Sequence, residues 1–131
     1  MIDFSEASVQ VLQWAILEAR TRNMHISILY PYRLDQLKRR DNVVQSKLAI
    51  EHEALAKFDA LAAQLLGDQQ VTFDFRTEVG FIRDRIQEYT RKNNVSLLVM
   101  ARSMAIGNAE SLEELVDEIR VPLVIVPSRS E

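Results

Sequence analysis

The residues whose types and spacings could do chemistry gather at two places, and both suit anions. Asp3 and Ser5 stand two apart just ahead of a helical pattern. Short oxygen-bearing side chains there either accept from the free N–H groups of the helix's first turn or touch a ligand lodged at the same point. The cap needs no ligand and is the preferred reading. Arg102 and Ser103 directly follow the apolar run Leu97-Leu98-Val99-Met100. Doubly wound folds bind ligands past the carboxyl ends of such strands, so this pair suits a phosphate or another small anion, with an exposed loop as the equal alternative. Arg33, Lys38, Arg39 and Arg40 form a basic cluster that could meet an anion or an acidic partner. A solvated loop is the commoner use of such a run.

Other chemistries find little support. His25 and His52 are the only histidines and neither has a companion at ligand spacing, whereas a metal site needs three or four converging ligands. Glu51, Glu53 and Asp59 fall at spacings that suit a solvated helix face rather than a catalytic carboxylate pair. No Gly-x-Ser-x-Gly or similar motif places a serine with a histidine and an aspartate. Without cysteine there is no disulfide, thiolate nucleophile or cysteine-metal site. The expectation is a protein that is not an enzyme and carries no metal and no resident cofactor.

The elements that must hold these residues alternate. Val9, Leu12, Ile16 and Ala19 recur at helical spacing between Ser8 and Arg22. Ile26 to Tyr30 is a short β-rich run closed by Pro31. Asp41 to Leu66 reads as a long helix with Val44, Leu48, Leu55, Phe58, Leu61 and Leu65 along one stripe and Gly67 just past its end. From Val71 to Val79 apolar and polar residues alternate, the pattern of a half-buried strand at or near a sheet edge. Gly80 turns the chain into a helix carrying Ile82, Ile86 and Tyr89. Val95 to Ala101 and Val121 to Pro127 are continuous apolar runs, suited to parallel strands covered on both faces. Between them Ser111-Leu112-Glu113-Glu114 has the form of a capping box ahead of a last helix. Helix and strand alternating four times predicts an α/β fold: a doubly wound parallel sheet with helices on both faces.

The 131 residues, 47% hydrophobic and 27% charged, predict a single folded domain over 1–131. A net charge of -3 with interspersed signs argues against nucleic acid as a partner. No apolar run approaches the ~18 residues needed to cross a bilayer. The start, Met1 to Glu6, lacks the basic and apolar regions of a secretory signal, so the cytoplasm is the expected location.

Four passages in order then carry a resemblance. Asp3-Phe4-Ser5-Glu6-Ala7-Ser8, ahead of a helix with Ala15 and Ala19, is similar to the approach to the first helix of universal stress proteins. Val79-Gly80 with Ile82 and Ile86 looks like that family's third strand and helix. Asn94 to Met100 looks like its fourth strand, and Val121 to Pro127 like its closing strand. The resemblance covers nearly the whole chain. It implies the fold shared by universal stress proteins and adenine nucleotide alpha hydrolases, with four or five strands here. It also implies a homodimer joined through the closing strand, whose candidate interface is Val121, Leu123, Val124, Ile125 and Val126. An apolar outer edge of that kind is protected by pairing across a two-fold axis.

Two departures stand against the family pattern. The family places an apolar, central strand immediately before its Asp-x-Ser segment, where this sequence offers Met1 and Ile2. Either upstream residues supply it, or the sheet closes up with four strands, or a partner chain fills the gap. The second departure concerns nucleotide. ATP-binding members carry Gly-x-x-Gly, about nine residues, then Gly and Ser or Thr, because bare backbone lets N–H groups approach phosphate closely. Here Ala101 stands at the first glycine, Met100 precedes it, and Arg102 to Ser111 holds one glycine, Gly107, with Glu110 beside the phosphate position. Ser103 and Asn108 are what a variant loop would use. On the adenine side Asp3 matches the family's aspartate, but Pro31 falls where a backbone N–H would meet the base and has none. The resemblance therefore implies a nucleotide-site remnant at Asp3, Pro31, Met100, Ala101, Arg102, Ser103 and Ser111. The expected function is a dimeric, non-catalytic stress-response or signalling module that does not hold ATP in the usual way. The alternatives are an ATP-binding protein with slow hydrolysis or autophosphorylation, and a sensor of another small molecule.

Overall fold

Ala7, Val11, Leu12, Ile16 and Ala19 recur at helical spacing and become the buried face of helix α1 (Glu6–Arg22). In the computed structural model, which describes residues 1–34, 42–107 and 112–127, α1 ends on Asn23 in the left-handed conformation. That geometry lets Met24 N–H close back on the Ala19 carbonyl at 2.9 Å. Strand β1 (Ile26–Tyr32) follows, then helix α2 (Val43–Leu65), capped by Asn42, whose side chain accepts from Gln45 N–H at 3.1 Å. Strand β2 (Phe73–Val79) pairs parallel with β1 from Ile26 opposite Phe73 to Tyr32 opposite Val79. Gly80, at φ +140°, makes the turn into helix α3 (Ile82–Lys92), a backbone region that side-chain-bearing residues avoid. Strand β3 (Leu98–Ala101) runs straight into a short helix α4 (Arg102–Gly107). Helix α5 (Leu112–Glu118) and strand β4 (Leu123–Val126) complete the described chain, with β4 parallel to β3. The α/β class and parallel strands agree with the sequence reading. No helix among the described residues is long and apolar enough to cross a membrane.

Four expectations change. β1 does not close at Pro31 but runs through it to Tyr32. Ile26 N–H donates to the Thr72 carbonyl and Gly80 N–H to the Tyr32 carbonyl, so even-numbered residues of β1 bond β2. Pro31 is odd, and its missing donor falls on the side where β2 asks for none. The long helix buries a different stripe. Ala54 and Phe58 face the core with Leu61 and Leu65, while Val44, Leu48 and Leu55 are exposed, Leu48 by 62%. At 3.6 residues per turn the two sets lie roughly a quarter turn apart, and the sequence stripe merged them. The apolar strands are also shorter than their runs: Val95 to Leu97, and Val121 and Pro122, lie outside β3 and β4. Finally, the four strands do not close into one sheet. They form two parallel pairs, β1 with β2 and β3 with β4.

Met1 and Ile2 lie between the pairs. Ile2 N–H donates to the Leu29 carbonyl at 3.0 Å, and the Met1 amino group donates to the Val99 carbonyl at 2.8 Å. Burial pushes that amino group down to about 5, since charge is poorly solvated there. The apolar core divides the same way. Met1 and Val11 pack with Ile82, Ile86, Met100 and Leu115, whereas Ile2 and Leu12 pack with Ile16, Ile28, Phe58 and Leu66. Successive residues of one helix thus serve both halves, and α1 is the strap across them. α3 and α5 are linked on the far side through Arg83 and Gln87, both reaching Glu118.

Candidate functional site

The ladder register brings three of the predicted site residues level. Leu29 accepts from Ile2 and so stands opposite Met1, while Val99 accepts from Met1 itself. Two residues on, Asp3 lies level with Pro31 on one side and Arg102 on the other. This is the carboxyl end of the strands, the usual ligand end of such folds.

Asp3 is engaged within its own turn. Its Oδ1 accepts from Ser5 N–H at 3.0 Å, from the Ser5 hydroxyl, and from the Ser8 hydroxyl at 3.0 Å, while Asp3 N–H donates to Ser8 Oγ at 3.0 Å. The expected cap takes another form: Ser5 occupies the cap position, but its side chain bonds Asp3 rather than a helix N–H. Ser8, fully buried, was not singled out in sequence, because a serine inside a helical pattern carries no signal until its partner is known. Between them Phe4 adopts φ 63°, a conformation that costs a non-glycine residue. Its ring is held edge-on to Tyr30, with centroids 4.9 Å apart. Tyr30 stacks on Tyr32, whose hydroxyl donates to Glu51. Glu51 is therefore a hydrogen-bond acceptor, not merely part of a solvated face. Burial, then this bond, pushes the Tyr32 hydroxyl far above the ordinary tyrosine range.

The passage after β3 is built of side chains. Met100 and Ala101 are fully buried, and so are Met104 and Ala105 on α4. Arg102 is exposed and Ser103 half-buried at the start of that helix. Helix α4 stands where the family pattern calls for an open glycine loop. Met104 on it is pinned in the core shared with Val11, Ile86 and Leu115. Ser111, Asn108, Glu110, Lys38, Arg39 and Arg40 lie outside the described residues. Arg33 sits over the Phe81 ring at 3.7 Å. Leu123, Val124, Ile125, Val126 and, ahead of the strand, Val121 are half-buried, and β4 has β3 as its only strand partner among the described residues.

One polar constellation escaped the sequence. His25 bonds Thr72 Oγ1 and Asp74 Oδ1, both at 2.7 Å, and Asp74 also accepts from the Ser27 hydroxyl at 2.8 Å. A carboxylate requires an N–H donor from the ring, so the neutral imidazole would accept from Thr72. Hydroxyl, imidazole and carboxylate stand in line, but the imidazole side chain is 49% exposed, and water competes for each bond. The line staples the start of β1 to β2. Only the register that sets Ser27 opposite Asp74 brings these residues together. Partial burial raises the Asp74 carboxyl, but the bonds from His25 and Ser27 and the charges of His25 and Arg76 outweigh it and hold it below the usual range. A lowered folded-state pKa stabilises above the unfolded value and is lost as pH falls through the folded one. Asp74→Asn should accordingly lower the thermal midpoint at pH 7, and the gap to the parent protein should close as pH falls below about 4. Melting curves from pH 7 to pH 2 check this; a gap that stays constant would remove the carboxylate's part in it. No cluster of three metal-ligating side chains occurs among the described residues.

With the geometry in place, comparison with known proteins is specific. The sequence model of the Universal stress protein family matches residues 1–127. Comparison with curated proteins gives no match. The chain is similar in structure to a protein from the universal stress protein family from Burkholderia pseudomallei, with a TM-score of 0.77 and 18% identity over 97% of this chain and 92% of that one. It is also similar to a universal stress protein crystallised in complex with cAMP, with a TM-score of 0.61 and 19% identity over 96% and 91% of the two chains. At such identities the likeness speaks for the fold alone.

Proposed function

Because the chain belongs to the universal stress protein family, we propose that it acts as a non-catalytic stress-response or signalling module, a homodimer that does not hold ATP in the family's usual way. One observation carries the reading. Where a triphosphate needs bare backbone, Ala101, Met104 and Ala105 are fully buried side chains of a strand-to-helix passage. Opening a cradle there would tear these groups from the core, and the buried apolar area opposes it at roughly 25 cal/mol per Å². Asp3 is already committed to Ser5 and Ser8, and Pro31 offers no N–H to a base. The half-buried, apolar β4, with strand pairing on one side, supports a homodimer through that edge.

A second reading is favoured by the cAMP-complexed relative: a sensor of a small nucleotide with one phosphate. Such a ligand needs far less of the loop and could use the exposed Arg102 as its counter-charge. Thermal shift with ATP, ADP, AMP and cAMP separates these. At millimolar ligand the first reading expects no movement of the midpoint with ATP. A rise of several degrees, the result of RT ln(1 + [L]/Kd), would overturn it, and a rise with cAMP alone would establish the second.

A further inference from the structure

Among the described residues β2 pairs with β1 alone, and its outer edge is open. Ile26 N–H donates to the Thr72 carbonyl and Gly80 N–H to the Tyr32 carbonyl, so even-numbered residues of β2 bond β1. Phe75, Thr77 and Val79 therefore turn their N–H and carbonyl groups the other way. A groove of about 420 Å³ lies along this edge, lined by Thr77, Glu78 and Val79 between Lys47 and Glu51 of α2 and Glu88 and Lys92 of α3. The apolar stripe that α2 leaves exposed stands over the same edge. Phe58 stacks on Phe75 of β2, whereas Lys57 reaches back to Phe4, which packs on Tyr30 of β1. Turning in that sense, Val44, Leu48 and Leu55 lie roughly 40–80° beyond Phe58, past β2 on its unpaired side. All three are exposed.

We propose that a second copy of this chain occupies this edge, with β2 pairing antiparallel to its counterpart across a two-fold axis at Thr77. Charge selects the register. Only odd-numbered residues offer main-chain groups outward, so a two-fold pairing centres on Phe75, Arg76 or Thr77. Centred on Arg76, it sets that arginine against the partner's Arg76 and Asp74 against the partner's Glu78, like charges facing at about 5 Å. Centred on Phe75, it turns Asp74 to the partner's Arg76, but Asp74 is already held by His25 and Ser27. Centred on Thr77, it sets Arg76, 54% exposed, opposite the partner's Glu78, and Phe75 opposite the partner's Val79.

The helices agree with the same axis. Phe58 lies by Phe73 and Phe75, while Lys47 and Glu51 lie by Thr77 to Val79, so α2 runs counter to β2. The midpoint between Leu48 and Leu55 falls at the level of Thr77, and each of these leucines meets the other kind on the partner. Because α2 lies over β1 and β2, its mate stands two strand spacings away, about 10 Å, which is a packing distance for helices. Charge on the strand and leucine on the helix thus point to one arrangement. Exposed ion pairs add little, so the expected dissociation constant is on the order of 100 µM. The contact shares no residue with β4 and stands whether or not the β4 dimer does. Together the two would build assemblies larger than a dimer.

Sedimentation equilibrium of the full 131-residue chain between about 10 µM and about 1 mM tests this, with hydrogen exchange at both ends of the range. The weight-average mass should rise by at least about one half, whatever its value in dilute solution, and the Phe75, Thr77 and Val79 amides should exchange more slowly at the high end. Leu48→Asp, at an exposed position, should melt within about 2 °C of the parent and weaken the association at least tenfold. Arg76→Glu and Glu78→Arg should each weaken it by setting like charges face to face. An equimolar mixture of the two variants should restore it, since opposite charges then face at both places. A constant mass overturns the proposal, as does a rise that leaves the three amides unprotected. So do amides already protected in dilute solution, since another segment would then cover the edge. A mixture that associates no better than its components overturns the register and the proposal with it.

Discussion

Replacing Met104 by alanine should lower the midpoint of thermal unfolding by about 10 °C. The side chain is fully buried on α4 and packs in the core with Val11, Ile86, Met100 and Leu115. Removing such a side chain deletes its transfer free energy and leaves a cavity, together about 2–5 kcal/mol. For a chain of this size each kcal/mol moves the midpoint by roughly 3–5 °C. Ser103→Ala, one position earlier and half-buried, is the control and should move it by no more than about 2 °C. Calorimetry or circular dichroism at pH 7 reads both. If Met104→Ala melted within about 2 °C of the parent, α4 would not be anchored in the core, and the case against a phosphate cradle after β3 would fall with it.

Val124→Asp should convert the proposed dimer to monomer at 10 µM, a concentration of order that used for sedimentation, with a dissociation constant raised by at least 100-fold. Val124 pairs with Val99 in register and belongs to the half-buried face and edge of β4. A carboxylate placed against a paired apolar edge is desolvated without a partner, costing about 2–5 kcal/mol at the interface, with a further loss in the fold because Val124 also packs on the core. Glu113→Gln, exposed on α5, is the charge control and should leave association unchanged. A parent protein that sediments as a monomer at that concentration would refute the interface outright.

These two experiments rest on features that the sequence disclosed unequally. The apolar runs 95–101 and 121–127 announced buried parallel strands, because a strand covered on both faces has no solvated side to alternate with. The alternation in 71–79 announced a strand at or near a sheet edge, and β2 has β1 as its only strand partner among the described residues. Departure from the glycine pattern after Met100 was equally legible, since a missing glycine is visible letter by letter. What replaced the loop was not. Six residues from Arg102 carry too little periodicity to declare a helix, and the burial of Met104 depends on α5 and α1 packing around it. The stripe on α2 misled for a related reason: Val44, Leu48 and Leu55 are apolar, but the face that meets the core is the one bearing Ala54, Phe58, Leu61 and Leu65.

The alternation of the four strands with α1, α2, α3 and α5, their parallel pairing and the departure from the glycine pattern were written in local spacing and composition. Tertiary structure alone decided how β1 and β3 relate, with Met1 and Ile2 bridging them. It alone joined His25, Thr72 and Asp74, and turned Pro31 so that its lost donor leaves the pairing of β1 with β2 intact. Such facts depend on register, the offset at which distant strands pair. A one-residue slip reverses which groups face a neighbour, and no short-range pattern in the chain records that offset.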